Sequence, residues 1–433
     1  MGPVSTSAAA IWAAPQAPTA LDAVVSLPGS KSLTNRALVL AALAEGSSVL
    51  RRPLRSRDTE LMVAGLQQLG VQITEPEGAS GDWSVRGVPG VLTPAGTAID
   101  VGNAGTVARF LPAVAALAEG SVRFDGDPAM RSRPLAPVLR ALRELGVSVS
   151  SVEGLPVTVA GTGTVRGRSV VLDASQSSQF ISALLLAAPR FEEGLAIRHE
   201  GARLPSTPHI AMTVDALRAV GAQVDDSVAG VWTVAQGALL PQDAAIEPDL
   251  STAAAYLAAP LVVGGSVTVD AWPAGTRQPG AVLPGLLEAM GAVVTRTADT
   301  VTVAAGRGLH GLDVDLGDAP ELTMVLTALA ALADSPSRFR GVGHLRVQET
   351  DRLKALSTEL NAIGGAVQET EDGLTITPRP LRPGRLSSYD DHRVAMAWAV
   401  LGLGVAGIEV DDIATTGKTV PDFVGSWTRM LGL

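Results

Sequence analysis

A helix-ending pattern, apolar-x-x-apolar-Gly, recurs six times along the 433 residues and constrains the fold more than any other feature. Its copies are Leu66-Gln-Gln-Leu69-Gly70, Leu142-Arg-Glu-Leu145-Gly146, Leu217-Arg-Ala-Val220-Gly221, Leu287-Glu-Ala-Met290-Gly291, Leu360-Asn-Ala-Ile363-Gly364 and Thr428-Arg-Met-Leu431-Gly432. The glycines stand 68 to 76 residues apart. Each takes the place where a helix C-terminus turns left-handed, and the first five precede alternating stretches such as Gly146-Val-Ser-Val-Ser and Leu155-Pro-Val-Thr-Val. A helix therefore leads into a hairpin. A second helix also recurs, built of small apolar residues: Phe180 to Ala188, Ala253 to Ala259 and Leu322 to Ala333. Helices with no polar face must be buried on all sides, so these are central helices with sheets packed around them.

Six units of about 72 residues fill the chain, and stacking is needed to cover each unit's apolar face. Three units per domain is the natural division. The sixth copy stops at its helix, while Leu21 to Leu27 reads as a strand without a unit of its own. The expectation is that this N-terminal strand completes the last repeat. One domain then holds residues 19–28 and 247–433, the other is inserted as 29–246, and residues 1–18 form a flexible tail. The crossovers fall near Leu27 to Gly29 and near Ala245 to Asp249, where Glu247-Pro248-Asp249 breaks the pattern. A continuous six-unit solenoid is the alternative that spacing alone leaves open.

Composition narrows the chemistry. Apolar residues make up 46% and aromatics only 3%, so the core is aliphatic. A net charge of -10 repels a phosphate backbone and argues against bulk nucleic-acid binding. The absence of cysteine removes disulfides, thiolate nucleophiles and Cys-ligated metals, and the five histidines form no HExxH pair. Mean hydropathy is +0.28, yet the run Val394 to Ile408 contains three glycines and stops at Glu409, too short to span a bilayer. The first basic residue is Lys31, so the start lacks a secretory n-region. The expected location is the cytoplasm.

Polar residues cluster where helices begin. Ahead of the apolar helices stand Ser30-Lys31-Ser32, Asn103-Ala104-Gly105-Thr106, Ser175 to Gln179, Ser251-Thr252, Glu321 and Tyr389-Asp390-Asp391-His392-Arg393. Ahead of the other helices stand Arg55 to Asp58, Arg131-Ser132-Arg133-Pro134, Ser206 to His209, Glu349 to Arg352 and Lys418. Capping accounts for Ser251 and Thr252. It does not account for cations, which a positive helix N-terminus disfavours unless an anion reverses the sign. Lys31, Arg36, Arg133, Arg352, Arg393 and Lys418 therefore point to strongly anionic small ligands, with repeat symmetry bringing the helix ends together. Singly, each has a plainer reading. Arg36 could be a surface charge, Glu349 and Arg352 a surface salt bridge, and His344 and His392 structural histidines. Gly29-Ser30-Lys31-Ser32 is no phosphate loop, because Val24 stands where the upstream glycine belongs.

Seven motifs in order carry a resemblance: Leu27-Pro-Gly-Ser-Lys-Ser-Leu-Thr-Asn-Arg36, Gly102-Asn-Ala-Gly-Thr106, Arg131-Ser-Arg-Pro134, Ser177-Ser-Gln179, Glu349-Thr-Asp-Arg-Leu353, Asp391-His-Arg393 and Lys418-Thr-Val-Pro-Asp422. Over nearly its whole length the chain resembles the EPSP synthase (3-phosphoshikimate 1-carboxyvinyltransferase) family. The resemblance implies an α/β fold of two domains, each an inside-out α/β barrel of three βαβαββ repeats, closing over substrates. It implies transfer of the enolpyruvyl group of phosphoenolpyruvate to the 5-hydroxyl of shikimate 3-phosphate, by a cytoplasmic monomer without metal, nucleotide or other cofactor. Carried over motif by motif, Lys31, Ser32, Arg36, Ser177, Ser178, Gln179 and Ser206 would meet shikimate 3-phosphate, with Glu321 and His344. Lys31, Asn103, Gly105, Arg133, Gln179, Arg352, Arg393 and Lys418 would hold phosphoenolpyruvate. Glu321 is the candidate base for the 5-hydroxyl, and Lys31, Glu349 and Lys418 are candidates for proton delivery. Gly105 would be glycine because the donor approaches the backbone there, which implies tight space for the family's phosphonate inhibitor glyphosate.

Four positions depart from the commonest family pattern: Glu321 for Asp, Gln348 for Lys, His344 for Asn and His209 for Tyr. Gln348 cannot take over the lysine's role. Three rivals remain. UDP-N-acetylglucosamine enolpyruvyl transferases commonly use a loop cysteine, which this chain lacks. RNA 3′-phosphate cyclases share the repeat but handle ATP and RNA, which suit an acidic chain poorly. A protein-binding scaffold would not need cations at the ends of buried helices and should show an exposed apolar patch.

Overall fold

The computed structural model describes residues 11–75 and 81–433; residues 1–10 of the expected tail lie outside them. The chain divides into two compact units. One comprises Met1–Leu27, Leu250–Ala274 and Gly280–Leu433, and will be called the terminal unit; the inserted unit comprises Pro28–Asp249 together with Gly275–Pro279.

Within the inserted unit, helices Lys31–Leu43, Gly105–Ala115 and Gln179–Ala187 pack against one another in pairs. Nearly every side chain on them is buried, as their lack of a polar face requires. Each belongs to a repeat that also supplies a half-polar helix: Arg57–Gln68, Ala136–Glu144 or Thr207–Ala219. After these come Gly70, Gly146 and Gly221, at φ +92°, +89° and +87°, so the left-handed turn read from the repeats is present. The hairpins that follow join three mixed four-stranded sheets. In the second of these, Ala98–Asp100 runs parallel to Glu119–Asp125, which pairs antiparallel with Val157–Thr162, and that in turn with Ser148–Val149. Val122 and Phe124 of one strand and Val157 and Val159 of its partner point into the core. Each such side chain contributes about 1.5–3 kcal/mol on burial.

The terminal unit repeats the scheme with central helices Ala253–Val263, Thr323–Leu332 and His392–Gly404 and flanking helices Leu283–Ala289, Arg352–Ala362 and Phe423–Met430. Two of its sheets have four strands and the third has three. Mixed sheets and buried helices make the fold α/β. No helix among the described residues is long and apolar enough to cross a membrane.

Two expectations for the N-terminus need correction. Leu21–Val25 does not complete the last repeat: it pairs in parallel with Gly265–Val269 in the sheet of the fourth repeat. The last repeat already owns its parallel pair, Gly384–Leu386 with Ile408–Val410, so what it lacks is an antiparallel partner. Trp12–Ala13 supplies that partner, pairing with Val410 and Glu409. The expected tail is therefore ordered in its second part, where Ala14 N–H donates to the Ile408 carbonyl at 2.9 Å and the Gln16 amide to Gly402. A short apolar Trp-Ala segment beside Pro and Ser carries too little alternation to read as a strand.

Gly265 shows how closely the two parallel strands approach. Its φ is +81°, and a Cβ there would collide with the Leu21 backbone. Gly265→Ala should destabilise the protein by about 2 kcal/mol or more, from left-handed strain and the clash together. A urea midpoint equal to wild type would show that this junction is not fixed by the glycine.

Candidate active site

In the inserted unit, the polar residues sit at the starts of the central helices, where the fold leaves the only polar ends of buried rods. Ser30 is the N-cap of helix Lys31–Leu43, and the Lys31 N–H donates to Asp249 Oδ2 at 3.3 Å. The Lys31 ammonium lies 3.3 Å from Asp58 Oδ2, with both side chains largely out of water. Ser32 is half-buried beside it. One turn on, Arg36 is only 1% exposed. Its Nε donates to Thr213 Oγ1 at 2.7 Å, Nη1 to the Ser32 carbonyl at 2.9 Å, and Nη2 to Ser182 Oγ at 3.3 Å and the His209 carbonyl at 2.9 Å. Burial pulls its pKa down to about 10, so it stays protonated at neutral pH. Arg36 thus holds the Lys31 helix against helices Gln179–Ala187 and Thr207–Ala219.

Helix Gly105–Ala115 begins without a capping side chain. Arg133, buried, reaches its start and donates from Nη1 to both the carbonyl and Oδ1 of Asn103 at 3.2 Å. A Cβ on Gly105 would lie 2.6 Å from Arg109 Nη1 and 2.7 Å from Arg133 Nη2. The glycine makes room for two guanidinium groups, a reason the sequence did not disclose. Arg109 donates to the Gly105 carbonyl at 3.3 Å, to Gln179 Oε1 at 3.1 Å and to the Pro134 carbonyl at 3.0 Å, and stacks 5.5 Å from the Phe180 ring centre. Because a guanidinium only donates, Gln179 must turn its oxygen toward Arg109 and its amide N–H groups away. Ser177 Oγ accepts from the Gln179 N–H at 3.3 Å, and Ser178 is the buried N-cap of the same helix. Ser206 caps helix Thr207–Ala219 in a left-handed conformation, φ +53°. His209 lies half-buried in the first turn of that helix.

In the terminal unit a chain of alternating charges joins the starts of helices Arg352–Ala362 and His392–Gly404 to Lys418, which ends the short helix Ile413–Lys418. Lys418 Nζ lies 3.3 Å from Glu349 Oε1, Glu349 Oε2 accepts from Arg352 Nη2 at 2.9 Å, and Arg352 Nε donates to Asp391 Oδ2 at 2.7 Å. Asp391 Oδ1 then accepts the N–H of Arg393 at 2.9 Å, capping helix His392–Gly404. Their side chains are 12% exposed or less from Lys418 to Asp391. Burial pulls on the Arg352 guanidinium, but Asp391, Glu349 and Glu321 outweigh it and hold Arg352 above its ordinary range. Glu321 is itself buried in the turn Pro320–Leu322 ahead of helix Thr323–Leu332. Arg393 Nη2 donates to Ser251 Oγ at 3.2 Å. His344 lies in the short helix Gly343–Val347, followed by half-buried Gln348.

Sequence reasoning missed four members of these sets. Asp58 and Asp249 pair with Lys31 from 27 and 218 residues away, and no local signal reports such pairing. Arg109 did leave a trace, a lone charge one turn after Gly105 in an otherwise apolar helix. Asp391 stood within a quoted motif, but its role as buried partner of Arg352 is a tertiary fact.

A family profile described as EPSP synthase (3-phosphoshikimate 1-carboxyvinyltransferase) matches residues 15–427. The chain belongs to the EPSP synthase family. It is 51% identical, over 97% of each chain, to the 3-phosphoshikimate 1-carboxyvinyltransferase of Mycobacterium ulcerans (strain Agy99). Among solved structures, an EPSP synthase from Acinetobacter baumannii superposes with a TM-score of 0.80 at 25% identity, covering 97% of this chain and 98% of that one. A second EPSP synthase structure from the same organism gives 0.78 at 24% identity with the same coverage. The family's motifs thus fall on two pre-paired charge sets, one in each unit.

Removing one partner of a buried ion pair strands the other, at a cost of about 3–5 kcal/mol. Asp391→Ala should destabilise the protein by about that amount, and Asp391→Asn by less, since the amide can still accept from the Arg393 N–H. Chemical denaturation checks this; a loss below about 1 kcal/mol for Asp391→Ala would mean that Glu349 alone neutralises Arg352.

Proposed function

We propose that this protein transfers the enolpyruvyl group of phosphoenolpyruvate to the 5-hydroxyl of shikimate 3-phosphate, releasing phosphate, as EPSP synthases do. The observation that carries this reading is the charge chain Lys418–Glu349–Arg352–Asp391 with Glu321 acting on Arg352: anion holders, a carboxylate pair and an ammonium in one buried set. Both substrates are multiply charged anions, and preorganised cations in a poorly hydrated site offset their repulsion. Lys31, Asn103, Gly105, Arg133, Gln179, Arg352, Arg393 and Lys418 hold phosphoenolpyruvate. Ser32, Arg36, Ser177, Ser178, Gln179 and Ser206 hold shikimate 3-phosphate, with Lys31 shared; Arg36 also fixes the Ser32 carbonyl.

Chemically, the 5-hydroxyl oxygen attacks C2 of phosphoenolpyruvate as Glu321 takes its proton, while C3 gains a proton and becomes a methyl group. Glu349, Lys31 and Lys418 are the candidates to deliver that proton, Glu349 and Lys418 being hydrogen-bonded to each other. Loss of a proton from C3 and of phosphate from C2 of the tetrahedral adduct then regenerates the enol ether. His344 donates a hydrogen bond to the acceptor, where Gln348 brings no charge. We extend the same reading to the finer architecture, taking each unit as an inside-out α/β barrel of three βαβαββ repeats. The protein then works as a cytoplasmic monomer needing neither metal nor nucleotide.

Phosphate release tests the assignment: it should require phosphoenolpyruvate and shikimate 3-phosphate together. No release from the pair would overturn it. Glu321→Gln should leave both ligands bound and lower kcat by about two orders of magnitude, the usual size of a general-base effect; near-normal turnover would move the base elsewhere. Gly105→Ala should push the Arg133 guanidinium off its place and raise KM for phosphoenolpyruvate about tenfold, with a weaker response to glyphosate. An unchanged KM would show that Arg133 and Arg109 can yield without affecting the donor.

A further inference from the structure

The turn that delivers Asp391 is built against local preference. Tyr389 and Asp390, neither of them glycine, both adopt left-handed backbone, at φ +53° and +58°. Three outside groups hold the turn. Asp411 accepts from Ser387 Oγ at 2.7 Å and from the Ser388 N–H at 2.8 Å, and Trp398 Nε1 donates to the Ser387 carbonyl at 2.8 Å. The third is Glu359, two turns beyond Arg352 on the same helix. Its Oε1 accepts from the Tyr389 hydroxyl at 2.6 Å and its Oε2 from the Ser387 N–H at 3.0 Å. The Arg352 helix is therefore tied to this turn twice, by Glu359 at one point and by the Arg352–Asp391 pair at another. The circuit closes on Asp391, which also fixes the first turn of the Arg393 helix.

We infer that Glu359 and Tyr389 are positioning residues for the phosphoenolpyruvate site, a clasp that sets the separation of Arg352 and Arg393. This rests on the assignment of those two arginines under Proposed function. A compact carboxylate or phosphate meets two guanidinium groups well only at one spacing, and a drift of about 1 Å between their helices is enough to weaken the pair. Tyr389 adds little to the core, being 37% exposed, so packing does not explain a bulky residue in a left-handed turn. Strain kept at such a place is usually tied to what it positions. Burial and the neighbouring Glu359 carboxylate raise the Tyr389 phenol to about 12, which keeps it a donor at any working pH.

Three variants test the clasp: Tyr389→Phe, which removes only the hydroxyl; Tyr389→Asn, which suits left-handed backbone but has no ring; and Glu359→Gln, which turns one acceptor into a donor. Each should raise KM for phosphoenolpyruvate about three- to tenfold while KM for shikimate 3-phosphate stays within about twofold. Tyr389→Asn should do so without lowering Tm, which separates positioning from folding. The double variant Tyr389→Phe/Glu359→Gln should exceed neither single variant by much, because both break one contact. Equal changes in both KM values, or none in the donor's, would overturn the clasp. Calorimetric titration of phosphoenolpyruvate in the presence of shikimate 3-phosphate keeps the two ideas apart. Wild type that binds the donor but releases no phosphate defeats the assigned reaction alone, whereas unaltered donor binding by the variants defeats the clasp alone.

Discussion

Burying a helix on every side leaves it only its two ends for polar contact, and that constraint organises both units. Lys31–Leu43, Gly105–Ala115 and Gln179–Ala187, and their counterparts Ala253–Val263, Thr323–Leu332 and His392–Gly404, have sides closed off by neighbouring helices and sheets. Their first turns carry unpaired N–H groups in a poorly hydrated place, which favours negative charge. Asp391 and Asp249 answer that demand within the protein, accepting from the N–H groups of Arg393 and Lys31. Negative charge is thus favoured at these helix starts.

Cations in such surroundings would be unstable alone, and none of the central ones is alone. Lys31 has Asp58, Arg352 has Asp391 and Glu349, and Lys418 shares Glu349. In the terminal unit the cations thus stand in an alternation of signs. The benefit is geometric: a paired guanidinium is held in one rotamer before any anion arrives, so less freedom is lost on binding.

What could be read from the sequence was whatever is local. The six helix-Gly copies, the hairpins that follow the first five, the uniformly apolar helices and the polar residues at their starts all rest on contacts within a few residues, and all appear in the structure. Pairings across the chain were not legible. Leu21–Val25 was a recognisable strand, but its partner Gly265–Val269 lies 244 residues on, and nothing in either segment names the other. The short strand Trp12–Ala13 was invisible for the opposite reason, having too few residues to show a period. Lys31, Arg352 and Lys418 were legible, and so was their partner Glu349, but not Asp58 or Asp391, which matter only through what folds against them. Arg36 carries the same lesson: the motif marks the cation, but its hydrogen bonds to Thr213, Ser182 and His209 come from segments 146 to 177 residues away.

The four departures from the commonest family pattern follow the same physics. Under the proposed assignment Glu321 and His344 meet the acceptor and Gln348 lies beside it. The terminal unit's charge chain is knotted together: changing Arg352 would strand Asp391 and Glu349, and changing Glu349 would strand Lys418. Gln348 and His209 are only half-buried, so a lost hydrogen bond there can pass to water. Glu321 is buried, and there only the length of the side chain differs while the carboxylate is retained. A departure thus costs little where solvent can complete a contact and much where a charge would be left alone.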